Sequence, residues 1–147
     1  MAVTDHGGSA GGGATGGCLC GAVRFTVNGP VRDVWNCHCE HCRRSTGNHM
    51  AATAAEGADL EIVESGSLTW YSHQPGVFYG FCARCGSSLF WRTQSRATVS
   101  ICAGALDDVS QLRAGGVLFA SEAAGYVTHP DVPVFPSDRE VPDEVCS

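Results

Sequence analysis

The segment CHCEHCRR, residues 37–44, places three cysteines within six residues and two arginines directly after them. Thiolate sulfur is a preferred ligand of Zn²⁺, and close spacing allows one turn of chain to present several thiolates to one ion. Three protein ligands with an exchangeable fourth position are typical of catalytic zinc. We therefore predict a working metal site on the cysteine trio, Cys37, Cys39 and Cys42, which are also the expected catalytic residues.

The charge of such a site indicates its chemistry. Three thiolates on Zn²⁺ leave one net negative charge, so the ion would activate water weakly but would still bind a soft fourth ligand such as a thiolate. This favours a thiol substrate that is held at the metal, kept ionised near neutral pH and presented as a nucleophile. Arg43 and Arg44 would offset the negative charge, and one of them could bind a substrate carboxylate.

Two histidines and a glutamate within the segment leave alternatives open. His38 or His41 could serve as a fourth ligand, which would make the trio a second structural zinc site. His38 lies between two ligand cysteines, so we expect its side chain to point away from their ion. His41 and Glu40 are candidates for proton transfer, and equally for solvated turn residues.

Two further cysteine pairs flank the trio, Cys18 and Cys20 before it and Cys82 and Cys85 after it. We call these four residues the outer cluster. Two pairs far apart in sequence can complete a tetrahedral site of four thiolates, which leaves no position open for substrate. We predict that the outer cluster holds a structural zinc, so that the chain binds two zinc ions, and that this site contributes on the order of 10 kcal/mol to folding. The alternative is a redox pair formed by Cys82 and Cys85 alone.

The composition limits the other functions that the chain could have. Its 147 residues suffice for one domain, nine of them are cysteines, and the net charge is −6. The chain lacks the basic stripe that binds nucleic acid or an anionic membrane surface, so neither partner is expected. It also lacks a signal peptide and an apolar run long enough to span a membrane. We therefore expect a cytoplasmic protein, in which reduced thiols favour metal binding over disulfides.

Short strands must position these cysteines. Runs of β-branched and aromatic residues between turn residues predict strands at 22–27, 31–36, 60–64, 68–72, 77–82, 88–93, 98–103 and 117–120. Residues 43–47 favour a short helical turn, and residues 50–55 fit either a helix or a crowded strand. The predicted fold is mainly β, with several short antiparallel strands.

The same reading divides the chain into three parts. A domain is expected at residues 17–136, between a flexible Gly-rich segment at 1–16 and a polar tail at 137–147. Two cysteines remain outside the predicted metal sites. Cys102 lies in an apolar strand, so we expect a small core residue, whereas Cys146 lies in the polar tail and is expected to be free.

Four motifs resemble those of the GFA family, the glutathione-dependent formaldehyde-activating enzyme and centromere protein V-like domain. They read CLCGAV at 18–23, CHCEHCRR at 37–44 with Gly47 after it, FCARCGS at 81–87 and AGALDD at 103–108. The resemblance runs from about Gly17 to Phe135. It implies an Mss4-like β fold, a structural zinc on the outer cluster and a catalytic zinc on the trio.

The family's named reaction joins formaldehyde to glutathione to give S-hydroxymethylglutathione, and it is classed as a carbon-sulfur lyase for the reverse direction. The resemblance therefore implies a small thiol such as glutathione, or its aldehyde adduct, as the partner. Two other functions remain open. One is a non-catalytic zinc module with two structural sites that binds a protein partner, for which an exposed apolar patch would be expected. The other is a methionine sulfoxide reductase, whose reactive cysteine would have to be Cys102 or Cys146.

Overall fold

The computed structural model describes residues 13–146, which form ten strands, two α-helices and three short 3₁₀ helices. The helices are α1 (Glu40–Thr46) and α2 (Asp143–Cys146), and the 3₁₀ helices are Gly57–Asp59, Ala103–Ala105 and Ala120–Glu122. The strands are β1 (Ala14–Gly17), β2 (Arg24–Val27), β3 (Val34–Cys37), β4 (Met50–Glu56), β5 (Leu60–Glu64), β6 (Leu68–Gln74), β7 (Val77–Cys82), β8 (Ser88–Thr93), β9 (Thr98–Cys102) and β10 (Ala114–Leu118).

The strands form two sheets. The smaller sheet has the order β1-β2-β5, and the larger has the order β10-β3-β4-β9-β8-β7-β6. Neighbouring strands are antiparallel, except that β10 runs parallel to β3. The predicted mainly-β fold is confirmed, and the expectation of antiparallel strands is corrected at the β3–β10 pair. No helix within residues 13–146 is long and apolar enough to cross a membrane.

The hydrophobic core lies between the two sheets. Phe25 of β2 and Phe90 of β8 are each 1 % exposed, and their rings meet edge to face with centroids 5.0 Å apart. Ile101 of β9 is fully buried and is the cross-strand partner of Phe90. Because side chains alternate across a strand, the residues next to these in sequence point to the opposite face of the larger sheet. That opposite face carries the candidate site.

Strand β4 resolves the ambiguous segment at residues 50–55. It lies between β3 and β9 in the middle of the larger sheet, and Ala52, Thr53, Ala54 and Ala55 are all buried. A strand that is covered on both faces cannot alternate apolar with polar residues, so its sequence carries no period-two signal. Helix α1 begins at Glu40, three residues before the predicted helical turn, and β10 begins at Ala114 rather than at residue 117.

The expected start of ordered structure at Gly17 is also corrected. Strand β1 begins at Ala14 and pairs along its whole length with β2. Gly16 allows this pairing, because a Cβ there would lie 2.4 Å from Cζ of Phe25. The predicted flexible segment lies outside the described residues at positions 1–12. In the predicted polar tail, Val141 is buried and α2 begins two residues later.

Candidate metal centres and the adjoining cavity

The junction between β3 and α1 assembles the cysteine trio. Cys37 is the last residue of β3, Cys39 is the N-cap of α1, and Cys42 lies in the first turn of that helix. The Cys39 sulfur accepts a hydrogen bond of 3.4 Å from the backbone N–H of Cys42. Helix α1 ends at Gly47, whose φ of 88° permits its N–H to donate to the carbonyl of Arg43. The three sulfur atoms all lie within 4.8 Å of one another.

The thiols of the trio differ in pKa, so they do not ionise equally. Hydrogen bonds from Cys37 and then Cys42 lower the pKa of the Cys39 thiol far below its ordinary value. For Cys42, the contacts with Cys37 and Cys39 and its burial raise the pKa far above that value. Three sulfurs this close can therefore all ionise only beside a cation. A soft divalent ion that prefers thiolate fits this donor set.

The outer cluster joins two turns that are far apart in sequence. Cys18 and Cys20 lie in the turn between β1 and β2, while Cys82 ends β7 and Cys85 lies in the turn before β8. The Cys18 and Cys20 sulfurs are 3.6 Å apart, and those of Cys20 and Cys82 are 3.8 Å apart. All four sulfurs lie within 4.8 Å of one another. The predicted grouping of these cysteines into one set of four and one of three therefore matches the geometry.

Polar hydrogens surround the sulfurs of the outer cluster. The backbone N–H of Val23 donates to the Cys18 sulfur at 3.2 Å. The Ser87 hydroxyl lies 3.2 Å from the Cys85 sulfur and lowers the pKa of that thiol to about 5. The same hydroxyl accepts from the backbone N–H of Leu19, which ties the two turns together. Cys82 is fully buried. Four thiol ligands, with donors that stabilise thiolate, fit a closed tetrahedral metal site.

A cavity of about 530 Å³ opens beside the trio and is built on one face of the larger sheet. Tyr79 is the cross-strand partner of Trp91, and Trp91 is that of Ser100, so these three side chains lie in one row. We call this space the trio cavity. The outer cluster does not line it. Its lining includes the three sulfurs, the aromatic residues Trp35, Tyr79, Trp91 and Phe119, the guanidinium groups of Arg32 and Arg96, and the carboxylates of Glu40, Glu122 and Asp138.

The backbone at the rim of the trio cavity is strained at one point. Phe119 has φ 53° and ψ 40°, a left-handed conformation that costs a residue with a Cβ about 1–2 kcal/mol. The following residues are held by hydrogen bonds from the backbone N–H groups of Ala120 and Ser121 to the carbonyls of Phe135 and Pro136. The segment before the tail thus fixes the position of an aromatic side chain over the cavity.

The two predicted arginines lie away from the trio cavity. Arg44 pairs with Glu40 at 2.9 Å on the exposed side of α1. It lines a second cavity of about 490 Å³, which His73, Tyr71 and Phe81 also line. Arg43 lines neither of these two cavities. Their role as carboxylate ligands stays a prediction, and the trio cavity presents two other guanidinium groups in their place.

The histidines of the segment also take separate positions. His38 is 2 % exposed and packs against His49 and His129, with ring centroids 4.9 and 5.1 Å apart. His41 lines both cavities and packs against His73 at 4.3 Å. Within the described residues, the ligand group of the trio includes no histidine. The expectation that His38 points away from the trio agrees with this placement.

The remaining cysteines lie outside both clusters. Cys102 is half-buried beside the trio, and burial raises the pKa of its thiol to about 11. It is the cross-strand partner of Ala52 and belongs to neither ligand group. The side chain of Cys146 lies outside what the structure describes.

Two clusters of thiols on a mainly-β fold, one closed and one opening on a cavity, define a class of cysteine-rich candidate metalloproteins. The sequence model of one family, described as "Glutathione-dependent formaldehyde-activating enzyme" (GFA), matches residues 13–122. The chain therefore belongs to the GFA family. The match begins just before β1 and ends within the last 3₁₀ helix, so it includes both clusters.

One curated relative carries the name of this family, and one solved structure resembles the fold. A protein of Halomonas elongata named "Putative glutathione-dependent formaldehyde-activating enzyme" is 36 % identical over 84 residues, which are 51 % of this chain and 53 % of that protein. The chain thus matches about half the length of this curated relative. A crystal structure of a Rhodobacter sphaeroides protein superposes with a TM-score of 0.56 at 28 % identity, covering 66 % of this chain and 91 % of that one.

Proposed function

We propose that the protein is a zinc-dependent enzyme that forms and breaks the carbon-sulfur bond between a small thiol and a carbonyl compound. The reaction would be of the S-hydroxymethylglutathione synthase type, a carbon-sulfur lyase in reverse, with glutathione or its formaldehyde adduct as the first substrate to test. One observation carries the proposal: the trio lines a cavity large enough for a small thiol, whereas the outer cluster does not line it. Family membership supports the reaction type.

The residues of the trio would hold a zinc ion, which when bound would supply a fourth position for a thiol and lower the pKa of that thiol. The chemical step needs no oxidant or reductant. The thiol gives up its proton, the sulfur lone pair of the thiolate forms a bond to the carbonyl carbon, and the π electrons of the C=O bond move to oxygen. That oxygen takes up one proton, which replaces the one that the thiol released. The reverse step returns the proton and breaks the carbon-sulfur bond.

Tyr79 would donate a hydrogen bond to the carbonyl oxygen in this step. Burial raises the pKa of its phenol to about 12, so the hydroxyl stays protonated near neutral pH. Trp91 is the cross-strand partner of Tyr79, and its indole nitrogen can donate a hydrogen bond but cannot accept one. The hydrogen of the Tyr79 hydroxyl would therefore be available to a ligand. A donor beside the trio would stabilise negative charge as it develops on the carbonyl oxygen.

The competing function is a zinc module with two structural sites. Such a site needs a fourth side-chain ligand for the trio, and the described residues supply none within the ligand group. The outer cluster has four ligands without help from another residue. The difference in ligand number supports a working role for the trio and a structural role for the outer cluster.

The test measures metal content and exchange kinetics on anaerobically purified protein. We expect two zinc ions in the wild type and in Cys102→Ser, and one in Cys39→Ser with the fold retained. NMR exchange spectroscopy then follows formaldehyde and glutathione interconverting with their adduct. The proposal is supported if the wild type and Cys102→Ser accelerate this exchange and Cys39→Ser does not. A single zinc ion in the wild type, or equal exchange rates in all three proteins, would contradict the proposal.

A further inference from the structure

Arg96 carries a guanidinium group that lines the trio cavity and has no carboxylate partner among the side chains that the structure describes. It lies in the turn between β8 and β9, is half-buried, and lines the cavity together with the trio. Its Cζ lies 5.5 Å from the centre of the Trp91 ring. Three carboxylates line the same cavity, those of Glu40, Glu122 and Asp138, and none of the three forms an ion pair with Arg96.

Three other arginines differ from Arg96, two because they have a carboxylate partner and one because it lies outside the trio cavity. Arg24 pairs with Asp107 and Arg44 pairs with Glu40. Arg92 lies over the rings of Trp70 and Phe78, 4.4 and 5.4 Å from their centres, and does not line the trio cavity. A guanidinium carries five N–H donors in a planar fork that matches a carboxylate. The donors of Arg96 are therefore available to a ligand in the cavity.

Trp91 connects Arg96 to the reacting end of the cavity. The indole packs against the hydrophobic cluster that contains Cys42 and Met50, while Arg96 lies near the same ring. Trp91 thus lies near both the sulfurs and the guanidinium, so a ligand that contacts both would extend beside the indole. In such a ligand the carboxylate would be separated from the sulfur by several bonds, as in a peptide-like thiol.

We infer that Arg96, positioned by Trp91, binds a carboxylate of the thiol substrate and so selects peptide-like carboxylate thiols over small neutral or cationic thiols. This inference rests on the proposed function, because it takes the trio as the thiol site. It assigns the anchor to the β8–β9 turn rather than to the arginine pair of α1. A bidentate, charge-assisted contact in a half-enclosed cavity predicts an effect of about ten-fold or more on affinity.

The first test measures binding without any reaction. S-methylglutathione and its dimethyl ester are titrated into zinc-loaded wild type, Arg96→Gln and Arg92→Gln, with binding followed by NMR and the fold checked by circular dichroism. We expect the acid to bind the wild type and Arg92→Gln about ten-fold more tightly than the ester. In Arg96→Gln this preference should disappear. Equal preference in all three proteins, or no binding of the acid to the wild type, overturns the inference.

The second test separates this inference from the proposed function. In the formaldehyde exchange assay, Arg96→Gln should raise the KM for glutathione about ten-fold and leave the KM for 2-mercaptoethanol, which has neither a carboxylate nor an amine, unchanged. An equal rise for both thiols would indicate a structural defect and contradict the inference. If the wild type accelerates neither thiol while the acid-over-ester preference still depends on Arg96, the proposed reaction fails and the carboxylate site stands.

Discussion

Loss of one ligand from the outer cluster should remove a large part of the stability of the fold. The cluster joins Cys20 to Cys82, which are 62 positions apart in sequence. Closing a loop of that length with a cross-link stabilises the folded state by about 4 kcal/mol through chain entropy alone. A domain of this size has only about 5–15 kcal/mol to lose. Cys82→Ser should therefore lower the free energy of unfolding by about 4 kcal/mol or more.

The assay is urea unfolding of the anaerobic protein, followed by tryptophan fluorescence with and without a zinc chelator. We expect chelator to destabilise the wild type, and Cys82→Ser without chelator to show most of that loss, since only the ion of the trio would remain in this variant. Cys102→Ser is the matched control, because it removes a half-buried thiol that belongs to neither cluster. It should respond to chelator as the wild type does.

The trio provides an internal comparison for the same measurement. Its cysteines lie within six residues, so a metal ion closes only a short loop there. Because loop-closure entropy grows with loop length, Cys39→Ser should cost less stability than Cys82→Ser. If Cys82→Ser unfolds within about 1 kcal/mol of the wild type, or if the two variants are equally destabilised, the assignment of the outer cluster as the long-range cross-link is refuted.

Three further predictions concern single residues. Because burial raises the pKa of Cys102 to about 11, its alkylation in the metal-loaded protein should be slow at pH 8 and accelerate towards pH 11, as mass spectrometry of quenched samples would show. Arg24 lowers the pKa of Asp107 to about 2, so their contact stabilises the fold fully above the ordinary carboxyl pKa near 4 and is lost as the pH falls through about 2. Asp107→Asn should therefore raise the pH at the midpoint of acid unfolding, and an unchanged midpoint would contradict this. A Cβ at Gly116 would lie 2.4 Å from the Trp35 ring, so Gly116→Ala should lower the free energy of unfolding in urea by about 1–3 kcal/mol. The control Gly104→Ala, whose Cβ would meet nothing within 4 Å, should lower it by less.

The two cysteine clusters were predictable from sequence because their information is local. Each cysteine pair lies in or beside one turn, and the trio lies in one strand-to-helix junction, so spacing alone identifies the cysteines that lie together. The strands at β5, β7 and β8 have the predicted bounds because turn residues flank them and their side chains are β-branched or aromatic. Strand β4 did not carry such a signal, since both of its faces are buried.

The trio cavity was not predictable in the same way. Its walls depend on which residues of separate strands lie opposite each other, and a shift of one residue would turn every side chain to the other face. The pairing of Trp91 with Tyr79 places it on the cavity face, and nothing in its sequence neighbourhood specifies that register. Arg96 follows the end of β8 by three residues and has no motif around it. The arginine pair beside the trio had the stronger sequence signal and lies elsewhere.

The trio opens on a cavity and the outer cluster does not, and the strands that hold each cluster account for this difference. The sulfurs of the outer cluster receive hydrogen bonds from turns on both sides, and Cys82 ends a strand that packs into the core. The trio instead lies beside β4, where Ala52 faces both Trp35 and Cys102 across the sheet and lines the cavity. A large side chain at that position would fill the space beside the three sulfurs. The small side chain of Ala52 therefore serves the site, because it keeps open the volume that a substrate of the trio would need.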